Sequence, residues 1–211
     1  MRGVDRRTGI KIARIATMLV LAGAFAACAT MPPEHAMQRG LDDLAKRDYE
    51  RALDRFETAA RAPGAEADSL FFQGASLNRL GRYDVAFERL TRAEKRGVAH
   101  PDLGFETGWS LIGLRRWDDA ATRLEQYERD HPGRAKTSEL LGRAYLGTRA
   151  YDRAEVKFRE AMQRDTTLRP ASLFYLALIE GARSNPAAAR VHLETLRKEA
   201  PHSPFARLLP P

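Results

Sequence analysis

The sequence has little of what a catalytic, metal-binding or disulfide-stapled protein needs. It holds one cysteine, Cys28, in 211 residues, so it can form no internal disulfide and no multi-cysteine zinc site. Its five histidines, His35, His100, His131, His192 and His202, never pair at metal-ligand spacing. It has no glycine-rich phosphate loop. The stretch from Gly108 to Gly113 imitates a nucleophile elbow around Ser110, but it lacks the glycine two residues after the serine and falls inside a helical pattern. No catalytic residue, metal ligand or cofactor site is therefore assigned, and no small-molecule substrate is expected. Charge of one sign is scarce as well. The formal charge is +7, but residues 1–27 supply +4 of it, leaving 30 basic and 27 acidic residues in the rest. Those signs alternate as on a solvated helical surface. Nucleic acid would call for a basic stripe, and it is not an expected partner. Residues after 27 contain no stretch long and apolar enough to span a bilayer.

What the chain does have begins with an address. Arg2, Arg6, Arg7, Lys11 and Arg14 precede an uncharged run of 13 residues, Ile15 to Ala27, which ends at Cys28. A basic segment, an apolar segment too short to cross a membrane and small residues at its end are the layout of a secretory signal. Phe25-Ala26-Ala27-Cys28 resembles the bacterial lipobox, with Phe25 in place of the usual leucine. That resemblance implies a signal peptide over 1–27, acylation of Cys28, and membrane attachment through the N-terminal lipid. Ala29 after the cysteine, by resemblance to Gram-negative lipoproteins, points to the outer membrane, with the protein on its inner leaflet facing the periplasm.

The remainder repeats every 34 residues. Gly40, Gly74, Gly108 and Gly142 are in register, as are Tyr49, Tyr83, Trp117 and Tyr151. Ala52, Ala86, Ala120 and Ala154 follow the same spacing, as do Phe56, Leu90, Leu124 and Phe158. After a slip of one residue a fifth copy carries Ala177, Ala189, Leu193 and Pro201. Small residues at positions eight and twenty let two helices approach closely, and the large ones at seventeen and twenty-four fill the space around the contact. The eleven prolines fall at joints, helix starts or the tail, where they do not break a helix.

This pattern resembles the tetratricopeptide repeat (TPR), whose 34 residues form a helix pair. The expected fold is all-α: an α-α superhelix, or TPR solenoid, of about five helix pairs. The divisions are a signal peptide over 1–27, a lipidated N-terminus and linker over 28–32, an array over 33–202, and a tail over 203–211. The approximate repeats are 33–66, 67–100, 101–134, 135–169 and 170–203. The spacing predicts helices over 34–46 and 50–62, 68–80 and 84–96, 102–114 and 118–130, 136–148 and 152–164, and 171–183 and 187–199. Position four lacks the bulky residue favoured in the family: Ala36, Leu70, Gly104, Ser138 and Leu173 stand there.

In such arrays the first helix of each pair lines a concave groove, and positions two, five, nine, twelve and thirteen commonly face it. The resemblance thus implies a partner-binding groove of Phe71, Asn78, Arg79, Phe105, Trp109, Arg143, Phe174 and Leu178. Aromatics with arginine are the composition of interface hot spots. A strip of aromatics at position five is not needed to close a helix pair, so it is expected to be open to a partner. The lysines and asparagines that clamp chaperone tails in some members are mostly replaced. In the tail, Phe205, Leu208 and Leu209 are expected to fold back over the last helix; the alternative is an open edge that docks another subunit. The implied role is a lipid-anchored scaffold for partner proteins or peptides, resembling the TPR lipoproteins of type IV or Flp pilus assembly. The alternative is a recruiter or regulator of a cell-wall enzyme.

Overall fold

The computed structural model describes residues 32–209. The N-terminal address, Cys28 included, lies outside the described residues. Among the described residues, ten α-helices form five pairs, each joined by a three-residue turn. They are α1 (Pro33–Ala45) with α2 (Tyr49–Ala59), α3 (Glu66–Arg79) with α4 (Tyr83–Lys95), and α5 (Leu103–Gly113) with α6 (Trp117–Asp130). Then come α7 (Ala135–Gly147) with α8 (Tyr151–Arg164) and α9 (Arg169–Ala182) with α10 (Pro186–Glu199). No strand occurs among the described residues. Most helices start a residue or two ahead of the spacing-based limits, because Tyr49, Tyr83, Trp117 and Tyr151 are the first helical residues of their helices. Helix α2 stops at Ala59, three residues early, where the chain turns through Pro63 and Gly64 (φ +79°).

The periodic residues meet as their sizes require. A Cβ added to Gly40, Gly74, Gly108 or Gly142 would sit 2.5–2.8 Å from the side chain of Phe56, Leu90, Leu124 or Phe158. Those four large residues are fully buried, and each contributes roughly 1.5–3 kcal/mol by leaving water. A second glycine period escaped the sequence reading. Gly113 and Gly147 lie under the rings of Tyr83 and Trp117, which reach across from the preceding pair.

The turns inside the pairs share one geometry. The N–H groups of Asp48, Arg82, Arg116, Ala150 and Asn185 each donate to the carbonyl five residues back, at 2.8–3.0 Å, the hydrogen bond of a Schellman cap. That cap places one residue in the left-handed region. Gly81 (φ +73°) suits it, but Arg47, Arg115, Arg149 and Ser184 occupy it at φ +57° to +62°. A residue with a Cβ costs about 1–2 kcal/mol there, and glycine returns part of that gain as chain entropy in the unfolded state. The side chains of Arg47, Arg115 and Arg149 are exposed. The triple variant Arg47→Gly, Arg115→Gly, Arg149→Gly is expected to be more stable by about 2 kcal/mol. Urea denaturation checks this; an unchanged or lowered midpoint would mean the turns carry no strain.

Successive first helices, α3, α5, α7 and α9, approach one another, whereas the second helices stay further apart. The first helices therefore form the tighter, inner side of the array and the second helices its outer side. Ion pairs bridge the outer gaps: Glu50–Arg82, Glu94–Arg123, Glu125–Arg153, Glu128–Lys157 and Glu155–Arg183. In each of them the acid lies on one second helix and its base on the next pair's second helix or on the turn leading into it. This is the structural content of the alternating charge.

Candidate partner-binding face

The inner face begins with a buried polar network. Asn78, at the end of α3, is 1% exposed. Its amide donates to the Glu106 carbonyl (2.8 Å) and to Glu106 Oε2 (2.9 Å) on α5. Ser110 Oγ donates back to Asn78 Oδ1 at 2.7 Å. Arg79 reaches the same Glu106 carboxylate at 2.5 Å and the Ala75 carbonyl at 3.1 Å. Asn78 is therefore a tie between two helix pairs and presents no surface to a partner. This corrects its place in the expected groove. The serine of the elbow-like stretch sits in the same network, inside α5.

The fifth-position aromatics are also corrected, for one shared reason. The end of the paired second helix, or the chain that follows it, lies over them. Phe71 is 3% exposed and stacks on His100 at 3.7 Å; the His100 Nδ1 accepts from the Asp102 N–H, and burial lowers the imidazole pKa. Phe105 lies 5.7 Å from Tyr127. The Tyr127 hydroxyl donates to Asp102, and burial with that hydrogen bond raises the phenol pKa far above its ordinary value. Phe174 lies 5.6 Å from Phe205 of the tail. Position five thus closes the open end of a pair after all. Phe71 is interior, and Phe105 and Phe174 are half-buried. The tail differs from expectation in detail: Phe205 covers Phe174 and Tyr175 of α9, while Leu208 remains 67% exposed.

What stays at the surface is narrower. Trp109 on α5 is half-buried, with the Arg79 guanidinium 4.5 Å above its ring and the Lys136 ammonium 5.5 Å away. One cation comes from the preceding pair and one from the following pair. Lys136 forms an ion pair with Glu139, and Arg143 lies 3.8 Å from the same carboxylate. Glu106 and Glu139 are buried, so the carboxylates sit below and the cations above. Beyond Arg143 a cleft of about 220 Å³ is lined by Trp117, Arg143, Leu146, Gly147 and Tyr175. Leu178, 46% exposed, lies on α9 beyond it. Of the expected groove residues, the structure leaves Arg79, Trp109, Arg143 and Leu178 in positions to meet a partner, with Phe105 and Phe174 at the margin. Lys136 and Glu139 stand at groove-facing positions two and five of the fourth repeat but were not among the expected groove residues, and Tyr175, at position six of the fifth, was missed.

Two stretches, residues 37–101 and 105–167, match the family model described as Tetratricopeptide repeat. No curated protein sequence matches the chain. Solved structures of similar fold include MamA 41-end from Desulfovibrio magneticus RS-1, at 20% identity and a TM-score of 0.66, covering 79% of this chain and 94% of that one. TTC0263, a thermophilic TPR protein of Thermus thermophilus, is 19% identical with a TM-score of 0.63, over 83% of this chain and 95% of its own. YrrB, described as having an unusual peptide-binding site, is 16% identical with a TM-score of 0.63, over 82% and 88%.

Proposed function

Because the chain belongs to the tetratricopeptide repeat family, we propose that it is an adaptor that binds a segment of a partner protein on its inner face. The observation that carries this reading is Trp109, held between Arg79 and Lys136 beside the Trp117–Tyr175 cleft. An aromatic anchor with cations around it suits a segment that brings an apolar side chain and an acidic one. YrrB is described as binding a peptide on the same scaffold, which supports a peptide ligand in kind. The role is one of binding, with chemistry left to the partner. The reading includes attachment through acylated Cys28 to the periplasmic leaflet of the outer membrane, and service in assembling a pilus or secretion complex. Its support is the lipobox-like Phe25-Ala26-Ala27-Cys28 after a basic, then apolar, leader.

Photocrosslinking in the native cell tests it. A photoreactive residue replaces Trp109 or Leu178 on the inner side, with Asp54 on the outer crest of α2 as control. Adducts specific to the inner positions, carrying a secretin or pilus component, are the expected result. Adducts with a cell-wall enzyme would transfer the role to enzyme recruitment. Equal labelling at all three positions would remove the inner face as the site. In the same cells, Cys28→Ser is expected to move the protein out of the membrane fraction; if it stays there, the lipid anchor is wrong.

A further inference from the structure

Two grooves run along the outer side, between neighbouring second helices. The one between α6 and α8, about 530 Å³, is chemically closed. Tyr145 Oη donates to Glu125 at 2.8 Å, and Arg153 reaches both Glu125 (2.8 Å) and Tyr145 Oη (2.6 Å). Lys157 bridges Glu128 and Glu160 at 2.8 and 3.0 Å. Tyr145, Arg153 and Lys157 each have their acceptor there, and only Arg129, on the crest of α6 between the two grooves, has no ion pair among the described residues.

The groove between α4 and α6, about 550 Å³ with α5 as its floor, is finished differently. Phe87 and Leu111 give it an apolar base, and the Arg116 guanidinium lies 4.9 Å over the Phe87 ring. The carboxylates at its rim are already used: Asp119 by Arg116 at 2.6 Å, and Glu94 by Arg123. Three groups remain unspent. Thr107, 5% exposed, lines the groove, and its hydroxyl has no hydrogen-bond partner. The buried Nε–H of Arg123 has none either. Arg129 gives a hydrogen bond to Gln126 at 2.6 Å but forms no ion pair among the described residues. A buried hydroxyl or N–H without a partner is unfavourable until something supplies an acceptor.

The shape selects among acceptors. Arg116 and Arg129 mark the two ends of α6, which at 1.5 Å per residue puts them roughly 20 Å apart. An extended chain advances about 3.3–3.6 Å per residue, so the groove is about six residues long. We propose that it is a second binding site, for an extended acidic segment of a partner protein. Backbone or carboxylate oxygens of the segment accept from Thr107 Oγ1 and Arg123 Nε. An apolar side chain rests on Phe87 and Leu111, and a carboxylate pairs with Arg129. The site faces away from Trp109, so occupancy of one face leaves the other open, and two segments can be held at once.

Fluorescence anisotropy with the full chain in detergent tests this, using a labelled hexapeptide of alternating glutamate and leucine as probe. Arg129→Glu is expected to weaken binding about tenfold, the loss of one ion pair. Thr107→Val is expected to weaken it about fivefold, within the range for one hydrogen bond. Thr107→Val also removes a partnerless hydroxyl, so it should raise the melting temperature while affinity falls. A residue with a merely structural role would not split these two readouts. In a Trp109→Ala background, where the inner face no longer contributes, binding persists and still falls with Arg129→Glu, and the lysine–leucine counterpart does not bind. Four results would overturn the proposal. They are no binding of the acidic peptide, equal binding of both peptides, loss with Trp109→Ala but not with Arg129→Glu, or full displacement by free glutamate, which would make the ligand a small carboxylate.

Discussion

Gly147→Ala is expected to destabilise the protein by about 2 kcal/mol, even though alanine is the better helix former. Gly147 ends α7, and a Cβ there would fall among the ring atoms of Trp117. The indole is rigid and anchored at the first residue of α6, so it cannot yield as the tip of a flexible chain would. Overpacking of this kind costs roughly 1–3 kcal/mol, and the ring's closeness puts the site at the upper end. The helix-propensity gain of alanine returns at most about 1 kcal/mol. Gly181→Ala provides the opposite case. Gly181 is helical and exposed, with nothing within 4 Å of an added Cβ. The same chemical change there should stabilise by up to about 1 kcal/mol. Urea denaturation followed by circular dichroism reads both variants, and a neutral Gly147→Ala would show that the ring has room to move.

Asn78→Ala should be costlier, at about 3 kcal/mol. Its amide supplies two hydrogen bonds to Glu106, one of them to a buried carboxylate, and its carbonyl accepts from Ser110. Hydrogen bonds to charged groups contribute about 1.5–3 kcal/mol, and removing one partner leaves the other unsatisfied. After truncation Arg79 would be the main partner left to Glu106. A double-mutant cycle with Glu106→Ala separates the contributions. If the network acts as a unit, the double variant loses clearly less than the sum of the singles. Additive losses would show that Asn78 acts through packing alone. The loss of Arg79's anchor also reaches Trp109, since Arg79 covers that ring. Stability and inner-face binding are thus coupled at this point.

The architecture was legible because each periodic residue answers a local steric demand. Gly108 has to be small where Leu124 touches it, and that demand recurs with every pair. Gly113 and Gly147 carry the same kind of information, 34 residues apart, and point to the rings of the preceding pair. The inner face was less legible. Whether Phe71 or Phe105 is open depends on what the chain brings back over it, and His100 and Tyr127 do so from positions whose residues do not recur in the other repeats. The Asn78–Glu106–Ser110 network joins residues 28 to 32 apart and has no counterpart in the other pairs, so periodicity does not reveal it. The open groove between α4 and α6 is hidden for a related reason. Its chemistry lies in unsatisfied donors, and a sequence shows which donors exist but not which are already engaged.

The ion pairs that bridge the second helices contribute little to folding, since exposed pairs are typically worth about 1 kcal/mol or less. Mechanically they are cross-struts on one side of a curved strip. The inner side is joined by ring contacts and buried hydrogen bonds, which added salt scarcely weakens. The outer struts are exposed or half-buried, so the exposed ones lose attraction as the Debye length shrinks. The array is therefore a two-faced spring with one stiff edge and one edge softened by ionic strength. Flexure concentrates on the softened side, where the two outer grooves lie and where a change in curvature alters their width first.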